Sequence, residues 1–536
     1  MALCALFGWA ATGCNLPPLP KKKSRGRAGA DLAESAPESQ PAAAAGTSDE
    51  TPTADGVPRS GQDRSSRPNV VLFFVDDLGW QDLSEPFGDE TSKWNERYET
   101  PNVERLCRGG MKFRHAYAHP VCTPSRVSLM TGTAAARHRV THWTLKPNKP
   151  TDPERNGLTR PAWNLCGLSN DPATRRAYCA ETLAQRLDAI GYETILVGKS
   201  HLGAIGTPGA DPTNLGFDVN VAGHAAGAPS SYLAEKSFLR RPNDTTWQVP
   251  GLEFYHGSDR FLTDVLTDEA IAAAARAVTK GEPFFLYLSH YAVHTPLDPD
   301  DRFVGRYREL GLSEPEARYA ALVRGVDHSL GRVLDWLEEN KLQDDTIVLF
   351  ASDNGGLSAH GRGGEKHTHN APLKSGKGSA YEGGLRVPMA VRWPDVVPTD
   401  AICDLPVQLE DVMPTLCELT GADPSCPDGD SFVRVLVGEE QPLHPLFFHH
   451  PHYWGATGPG IEPFSAVRDG DLKLIWFYAQ GRAELYDVVN DPGEVRDLTG
   501  LQPDDVARMR ALLRAHLEEC DAQVPSHEDG SPIQLP

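Results

Sequence analysis

The sequence predicts an α/β fold: a mostly parallel sheet flanked by helices, followed by a small antiparallel-sheet subdomain. Three observations predict it. Apolar runs of five to seven residues without polar alternation recur along the chain, as in strands buried on both faces. Stretches with the helical period separate those runs, the pattern of parallel strands joined by crossover helices. After Gly421 the texture shifts to short strand-like pieces joined by Asp-Gly and Gly-Arg turns, which suit hairpins.

Taken in order, Asn69–Val75 (NVVLFFV) is the first buried strand, and residues 193–197, 283–288 and 346–351 are further strands of the same kind. Residues 180–190 and 269–278 carry helical periodicity between them. Residues 316–340 carry it best, with Tyr319, Leu322, Val326, Leu330, Val333 and Leu337 on one stripe. The pieces 445–449, 465–468, 472–478 and 483–486 read as the antiparallel subdomain, and 504–519 as a closing helix. The expected organisation is an export signal over 1–14, a disordered tether over 15–67, a main domain over 68–435 and a subdomain over 440–525. No internal repeat is apparent.

Composition excludes several classes. Of 536 residues, 40% are hydrophobic and 23% charged, which suits a soluble globular protein. The 52 Lys and Arg against 73 Asp and Glu give a net charge of −21. The first 67 residues hold eight basic and seven acidic groups, so the acidic excess belongs to the folded part. Such a chain is unsuited to holding nucleic acid or an anionic membrane by charge. No apolar stretch approaches the ~18 residues of a spanning helix. Cys166 and Cys179 flank a short polar loop and could pair in an oxidising compartment. No CxxC pair supports a structural zinc site.

The chemistry gathers at strand ends. The first strand runs into Asp76-Asp77 and the 346–351 strand into Asp353-Asn354. Either pair alone also fits a turn or cap. Together, four oxygen donors at the carboxyl ends of parallel strands suit a hard divalent cation such as calcium or magnesium. Cys122-Thr123-Pro124-Ser125-Arg126 opens a helix-like stretch. There Thr123 is expected to cap the helix with Pro124 in its first turn, which sets Cys122 just ahead of a helix N-terminus, a place that favours an anion.

Six further motifs fall in register with these: Gly198-Lys199-x-His201-x-Gly203, His294-x-Pro296, Gly355-Gly356 after the Asp353-Asn354 pair, Gly376-Lys377-Gly378, Tyr381-Glu382-Gly383-Gly384-Leu385-Arg386-Val387-Pro388, and Glu484-Leu485-Tyr486-Asp487 with Asn490-Asp491-Pro492-Gly493-Glu494. In this order, over residues 68 to about 500, the chain resembles the type I, formylglycine-dependent sulfatases of the alkaline-phosphatase-like superfamily. Within that family it resembles the polysaccharide and N-acetylgalactosamine-6-sulfate sulfatases.

That resemblance implies a sulfuric ester hydrolase acting on a sulfated carbohydrate. Cys122 would be converted to formylglycine (3-oxoalanine) by a maturation enzyme that reads Pro124 and Arg126. One hydroxyl of the aldehyde hydrate would attack sulfur, and deprotonation of the other would expel sulfate from the sulfated enzyme. Asp76, Asp77, Asp353 and Asn354, with the modified Cys122, would hold calcium, ahead of magnesium. Arg126 would steady the hydrate and the metal carboxylates, while Lys199 and Lys377 would neutralise the sulfuryl oxygens. His201 would take the proton in the elimination step and His294 would serve the leaving oxygen.

The same resemblance makes the His360, His367 and His369 loop substrate-facing. The 448–454 tract adds histidines and aromatics, and His450 and His452 are candidates for bonding sugar hydroxyls. His138 and His142 are candidates for the cleft mouth. Other readings are a phosphonate or phosphodiester hydrolase of the same superfamily, and an inactive glycan-binding lipoprotein. At the N-terminus, the apolar run ending in Ala11-Thr12-Gly13-Cys14 resembles a bacterial lipoprotein leader, with Cys14 as the lipid attachment point; a simple cleaved export signal is the other reading. The expected location is accordingly exported: periplasm, outer membrane or cell surface.

Overall fold

The computed structural model describes residues 67–536 except 156, 242 and 360. The expected export signal with Cys14, residues 15–66 of the expected tether, and His360 lie outside the described residues. Strands of the main sheet are β1 (Asn69–Val75), β2 (Met111–Tyr117), β3 (Glu193–Gly198), β4 (Val219–Val221), β5 (Phe284–Ser289), β6 (Thr346–Ser352), β7 (Arg386–Arg392), β8 (Ala401–Cys403) and β9 (Val407–Gln408). Their spatial order is β8-β2-β7-β6-β1-β5-β3-β4, with β9 also beside β2. All neighbours are parallel except at β7, which runs antiparallel to both β6 and β2.

The continuous apolar run of β1 has a direct cause. Val71, Phe73 and Val75 face one core while Val70, Leu72 and Phe74 face the other, and none is exposed. A strand covered on both faces needs no polar alternation, and each such side chain removed from water contributes roughly 1.5–3 kcal/mol. The helices Leu262–Lys280 and Glu314–Glu339 cover the first face; Leu183–Ala189 and Val412–Thr420 help cover the second. The first of these is longer than its periodic segment. Its N-terminal turns carry buried Thr263, Asp264 and Thr267, polar residues that interrupt the apolar pattern.

Two of the longer strands have no clean sequence signal. β2 (MKFRHAY) mixes charges with apolar residues. β7 contains Pro388, which falls where the register against β2 shifts between Val387 and Met389, and bulges are places where a strand tolerates proline. The C-terminal subdomain is an antiparallel meander of β10 (Leu446–His450), β11 (Phe464–Asp469), β12 (Leu472–Phe477) and β13 (Arg482–Asp487). The helix Pro503–Glu519 packs on it through Met509, Leu513 and Leu517.

A buried ion cluster ties the two sheets together. Lys473 Nζ of β12 lies 2.8 Å from Glu382 Oε1 and 2.7 Å from Glu494 Oε1. Glu382 Oε2 receives Arg386 Nε and the Tyr117 hydroxyl, each at 2.7 Å, and Glu494 Oε2 receives the Glu382 backbone N–H at 2.7 Å. The Tyr-Glu-Gly-Gly-Leu-Arg and Asp-Pro-Gly-Glu motifs thus meet each other as structural elements. Cys166 and Cys179 are not paired: both are free. Two short strands align Cys179 opposite Ser169, three residues along from Cys166.

Candidate active site

The topology brings the expected residues to one edge. β1, β3, β5 and β6 are mutually parallel, so Asp76-Asp77, Lys199, the chain leading to His294, and Asp353-Asn354 all leave the sheet on the same side. β2 runs parallel to β6 across the antiparallel β7, so the segment after Tyr117 delivers Cys122 to that side. The segment before β7 delivers Lys377 there too. This is the crevice beyond the carboxyl ends of the strands where open α/β sheets place their sites.

Cys122 begins a ten-residue helix, Cys122–Thr131, in which every residue is buried. The helix is not capped by Thr123: its N-cap is Val121, with no side-chain cap. The Thr123 hydroxyl is drawn instead to His201 Nε2 at 3.3 Å and accepts the Thr144 N–H at 3.2 Å. Pro124 lies in the first turn, where a missing N–H breaks no helical bond. Cys122 lines a cleft of about 560 Å³ together with His201, His294 and Lys377. Burial raises its thiol pKa against the pull of Lys199 and Lys377, which keeps an unmodified thiol from the reactive thiolate form.

Behind the cysteine, one ligand atom from each of Asp76, Asp77 and Asp353 lies within 4.8 Å of the others, and all three residues are fully buried. Three cations balance them. Lys199 Nζ is 2.7 Å from Asp76 Oδ2 and 3.7 Å from Asp353 Oδ2. Lys377 pairs with Asp77 Oδ1. Arg126 donates from Nε and Nη2 to Asp353 Oδ2 at 3.0 and 2.8 Å, and from Nη1 to Ser289 Oγ at 2.7 Å. Asn354 donates to Asp77 Oδ1 at 2.9 Å.

Three buried oxygens nevertheless have no hydrogen-bond partner: Asp76 Oδ1, Asp77 Oδ2 and Asn354 Oδ1. Orphaned oxygens of this kind are costly, and a hard divalent cation is the ligand this donor set fits. The electrostatics agree. Burial and the Asp353 charge raise Asp76 well above the usual carboxylate range. For Asp77 and Asp353 burial also opposes charge, but Lys377 and His294 in the one case, and Arg126 and Lys199 in the other, hold them down. Three adjacent carboxylates cannot all ionise comfortably without further positive charge.

The two histidines differ. His201 Nε2 lies 2.9 Å from the Thr144 carbonyl, which only accepts, so Nε2 carries the proton and the partnerless Nδ1 is a free acceptor. His201 holds φ +53°, and Asp77 φ +61°, uncommon for side-chain-bearing residues and found where a site over-determines the backbone. His294 commits Nδ1 to the Thr295 carbonyl at 2.8 Å, and its Nε2 is 3.7 Å from Asp77 Oδ2. Burial, against the opposing Asp77 charge, lowers its pKa to about 4.

Other expected residues lie elsewhere. Lys199 and Arg126 do not line the cleft: both are wholly buried against the carboxylates, Arg126 on Asp353 as expected and Lys199 on Asp76. His450 and His452, expected on the substrate, are buried at 1% exposure and are not on the wall. His452 bonds Thr141 Oγ1 at 2.7 Å and Asp152 Oδ2 at 3.0 Å, and His450 packs on His142 and Phe464. His138 and His142 are buried too, bonding Ser128 and Tyr453. Of the histidine loop, His369 bonds Ser358 and Gly363, and Lys366 faces the cleft. The wall residues missed from sequence are Trp143, Trp247 and Lys366; Trp454 came from the tract that suggested the histidines. Gly378, at φ +85°, lets Trp454 pack where a Cβ would lie 2.4 Å from its ring.

Comparison with known proteins agrees with this arrangement. The sulfatase family profile matches residues 68–422, and the N-sulphoglucosamine sulphohydrolase C-terminal profile matches 376–523. A sulfatase of Formosa agariphila is 29% identical over 516 residues, covering 85% of this chain and 90% of that protein. The N-acetylgalactosamine-6-sulfatase of Canis lupus familiaris is 29% identical, covering 71% of this chain and 68% of the relative. Among solved structures, Ps i-CgsB is 28% identical with a TM-score of 0.66, covering 84% of this chain and 93% of its own. It has also been solved in complex with k-i-k-neocarrahexaose. The profile match spans most of the chain, and the fold and strand-end chemistry coincide with it: this chain belongs to the sulfatase family, of the alkaline-phosphatase-like superfamily.

Proposed function

We propose that this protein removes sulfate from sulfated carbohydrates, using Cys122 after its oxidation to formylglycine by a maturation enzyme. The observation that carries the reading is Cys122 at a helix start on the cleft, beside a carboxylate cluster with three orphaned oxygens. The sulfatases this chain resembles generally use both a formylglycine and a metal ion. The carbohydrate preference is supported by the relative named for N-acetylgalactosamine 6-sulfate, by the neocarrahexaose complex of a structural neighbour, and by the tryptophans on the cleft wall.

Asp76, Asp77, Asp353 and Asn354 would hold the ion, calcium ahead of magnesium, which when bound polarises the modified residue and a sulfate oxygen. The modified side chain supplies two geminal hydroxyls, one to attack sulfur and one whose deprotonation expels sulfate without water attacking sulfur. Every other part is played by the chain itself. Lys377 presents its ammonium at the wall to the sulfuryl oxygens. Lys199 and Arg126 hold Asp76 and Asp353 in place. The free Nδ1 of His201, aimed by its bond to Thr144, accepts the proton of the elimination step. His294 Nε2 serves the leaving oxygen, and takes up its proton only when an anionic ester offsets the burial that keeps it neutral. The three cations balance the three carboxylates, so a divalent ion leaves the centre positive, as a sulfate monoester requires.

The reading includes export. No helix among the described residues is long and apolar enough to cross a membrane, and the Cys14 leader would place the enzyme at the cell surface or periplasm. Steady-state release of sulfate and phosphate from matched aryl esters tests the activity. Sulfate release lost in Cys122→Ala is expected; faster turnover of the phosphate or phosphonate ester would replace this reading with the phosphonate hydrolase one.

A further inference from the structure

The catalytic groups account for only part of the cleft. Its volume of about 560 Å³ is that of a pocket for a whole small molecule rather than for a sulfate group alone. The remaining wall comes from separate segments: Trp143 with Thr151, Trp247, Lys366, and the turn that begins at Trp454. Flat indole faces with hydroxyl-bearing neighbours are the surface on which a sugar ring stacks.

Lys366 stands apart from the other cations. Arg126, Lys199 and Lys377 are each neutralised by a carboxylate of the centre, whereas Lys366 is exposed and makes no ion pair among the described residues. Its loop is held in place. The His367 N–H donates to the Ser358 carbonyl at 3.0 Å and His369 Nε2 bonds the Gly363 carbonyl at 2.7 Å. The His367 ring packs on Gly458, where a Cβ would lie 2.1 Å away, so the loop is braced against the turn that carries Trp454. A braced loop that brings a lysine with no ion pair among the described residues to the wall of a cleft that Lys377 already lines is arranged for a second negative charge.

We propose that the cleft selects a sulfated saccharide bearing a second anionic group, sulfate or carboxylate, which Lys366 binds while Trp143, Trp247 and Trp454 enclose the sugar. This rests on the sulfatase reading above. It is a statement about recognition, and the bond broken is still the sulfate ester at the catalytic centre.

The test compares sulfate release from two matched pairs: N-acetylgalactosamine 6-sulfate against its 4,6-disulfate, and glucosamine 6-sulfate against glucosamine 2-N,6-O-disulfate. 4-Nitrophenyl sulfate is the control. The native enzyme is expected to prefer the disulfated member of at least one pair in kcat/KM by about fivefold, the scale of one exposed ion pair. Lys366→Gln is expected to remove that preference through KM, with kcat and 4-nitrophenyl sulfate turnover unchanged. No preference in either pair, or a preference that survives in Lys366→Gln, overturns the proposal. If no ester releases sulfate, the sulfatase reading fails by itself. Calorimetric binding of the same sugars to Cys122→Ala then decides the question: tighter binding of a disulfated sugar that is lost with Lys366→Gln upholds it, and equal affinities overturn it.

Discussion

The protein buries two clusters of opposed charge, and they are built to different ends. Around Lys473, every carboxylate oxygen of Glu382 and Glu494 lies within 2.8 Å of a cation or a donor. Around Asp76, Asp77 and Asp353 the charges also balance, yet three oxygens are left without a hydrogen-bond partner, and the cluster opens onto a cleft through Lys377 and Cys122. The first cluster joins two sheets, and its one oxygen without a hydrogen bond, Glu494 Oε1, still has the Lys473 ammonium at 2.7 Å. The second is incomplete in a way that one divalent cation would complete. Among these buried ion clusters, then, oxygens with neither a hydrogen bond nor a cation in close contact, rather than charge or burial, separate the site from the joint.

That contrast breaks first at Cys122. Cys122→Ala should lower kcat about 10⁴-fold or more while leaving the thermal midpoint nearly unchanged, read by sulfate release and calorimetry on the same sample. The opposite profile is expected of the joint. Lys473→Met strands two buried carboxylates and should cost roughly 3–5 kcal/mol of stability, with kcat per folded molecule preserved. A loss of kcat without a loss of stability in that variant would erase the distinction between the clusters. Chelation sharpens the comparison from the other side. Removing the ion should abolish turnover and lower the midpoint by an amount worth about 3 kcal/mol, restored by added calcium in excess of its dissociation constant. The smallest effect is at the rim of the joint, where Tyr381→Phe loses a 2.8 Å hydrogen bond to Glu484 and should cost about 1 kcal/mol in denaturant unfolding, with no change in KM.

The sequence carried the centre better than its surroundings, for a physical reason. Asp76, Asp77, Asp353 and Asn354 follow buried strands whose apolar runs are unmistakable, so their place at the sheet edge is set by local pattern. Residues whose position depends on distant segments were not legible. Thr123 has the chemistry and spacing of a cap, but His201 and Thr144, far along the chain, capture its hydroxyl. His450 and His452 crowd together in sequence with Trp454, yet the pairing of β10 with β11 turns His450 inward and Asp152 takes His452. Trp143, Trp247 and Lys366 sit in loops without periodicity, and only tertiary packing brings them to one wall. β7 was hidden by its proline and β2 by its charges, although both flank the site.

The most direct test of the central claim is peptide mass spectrometry of the tryptic fragment ending at Arg126, from protein purified from its own cell, alongside sulfate release by the same preparation. The account predicts an aldehyde in place of the Cys122 thiol in active protein. An unmodified thiol at residue 122 in protein that hydrolyses sulfate esters at full rate would contradict it.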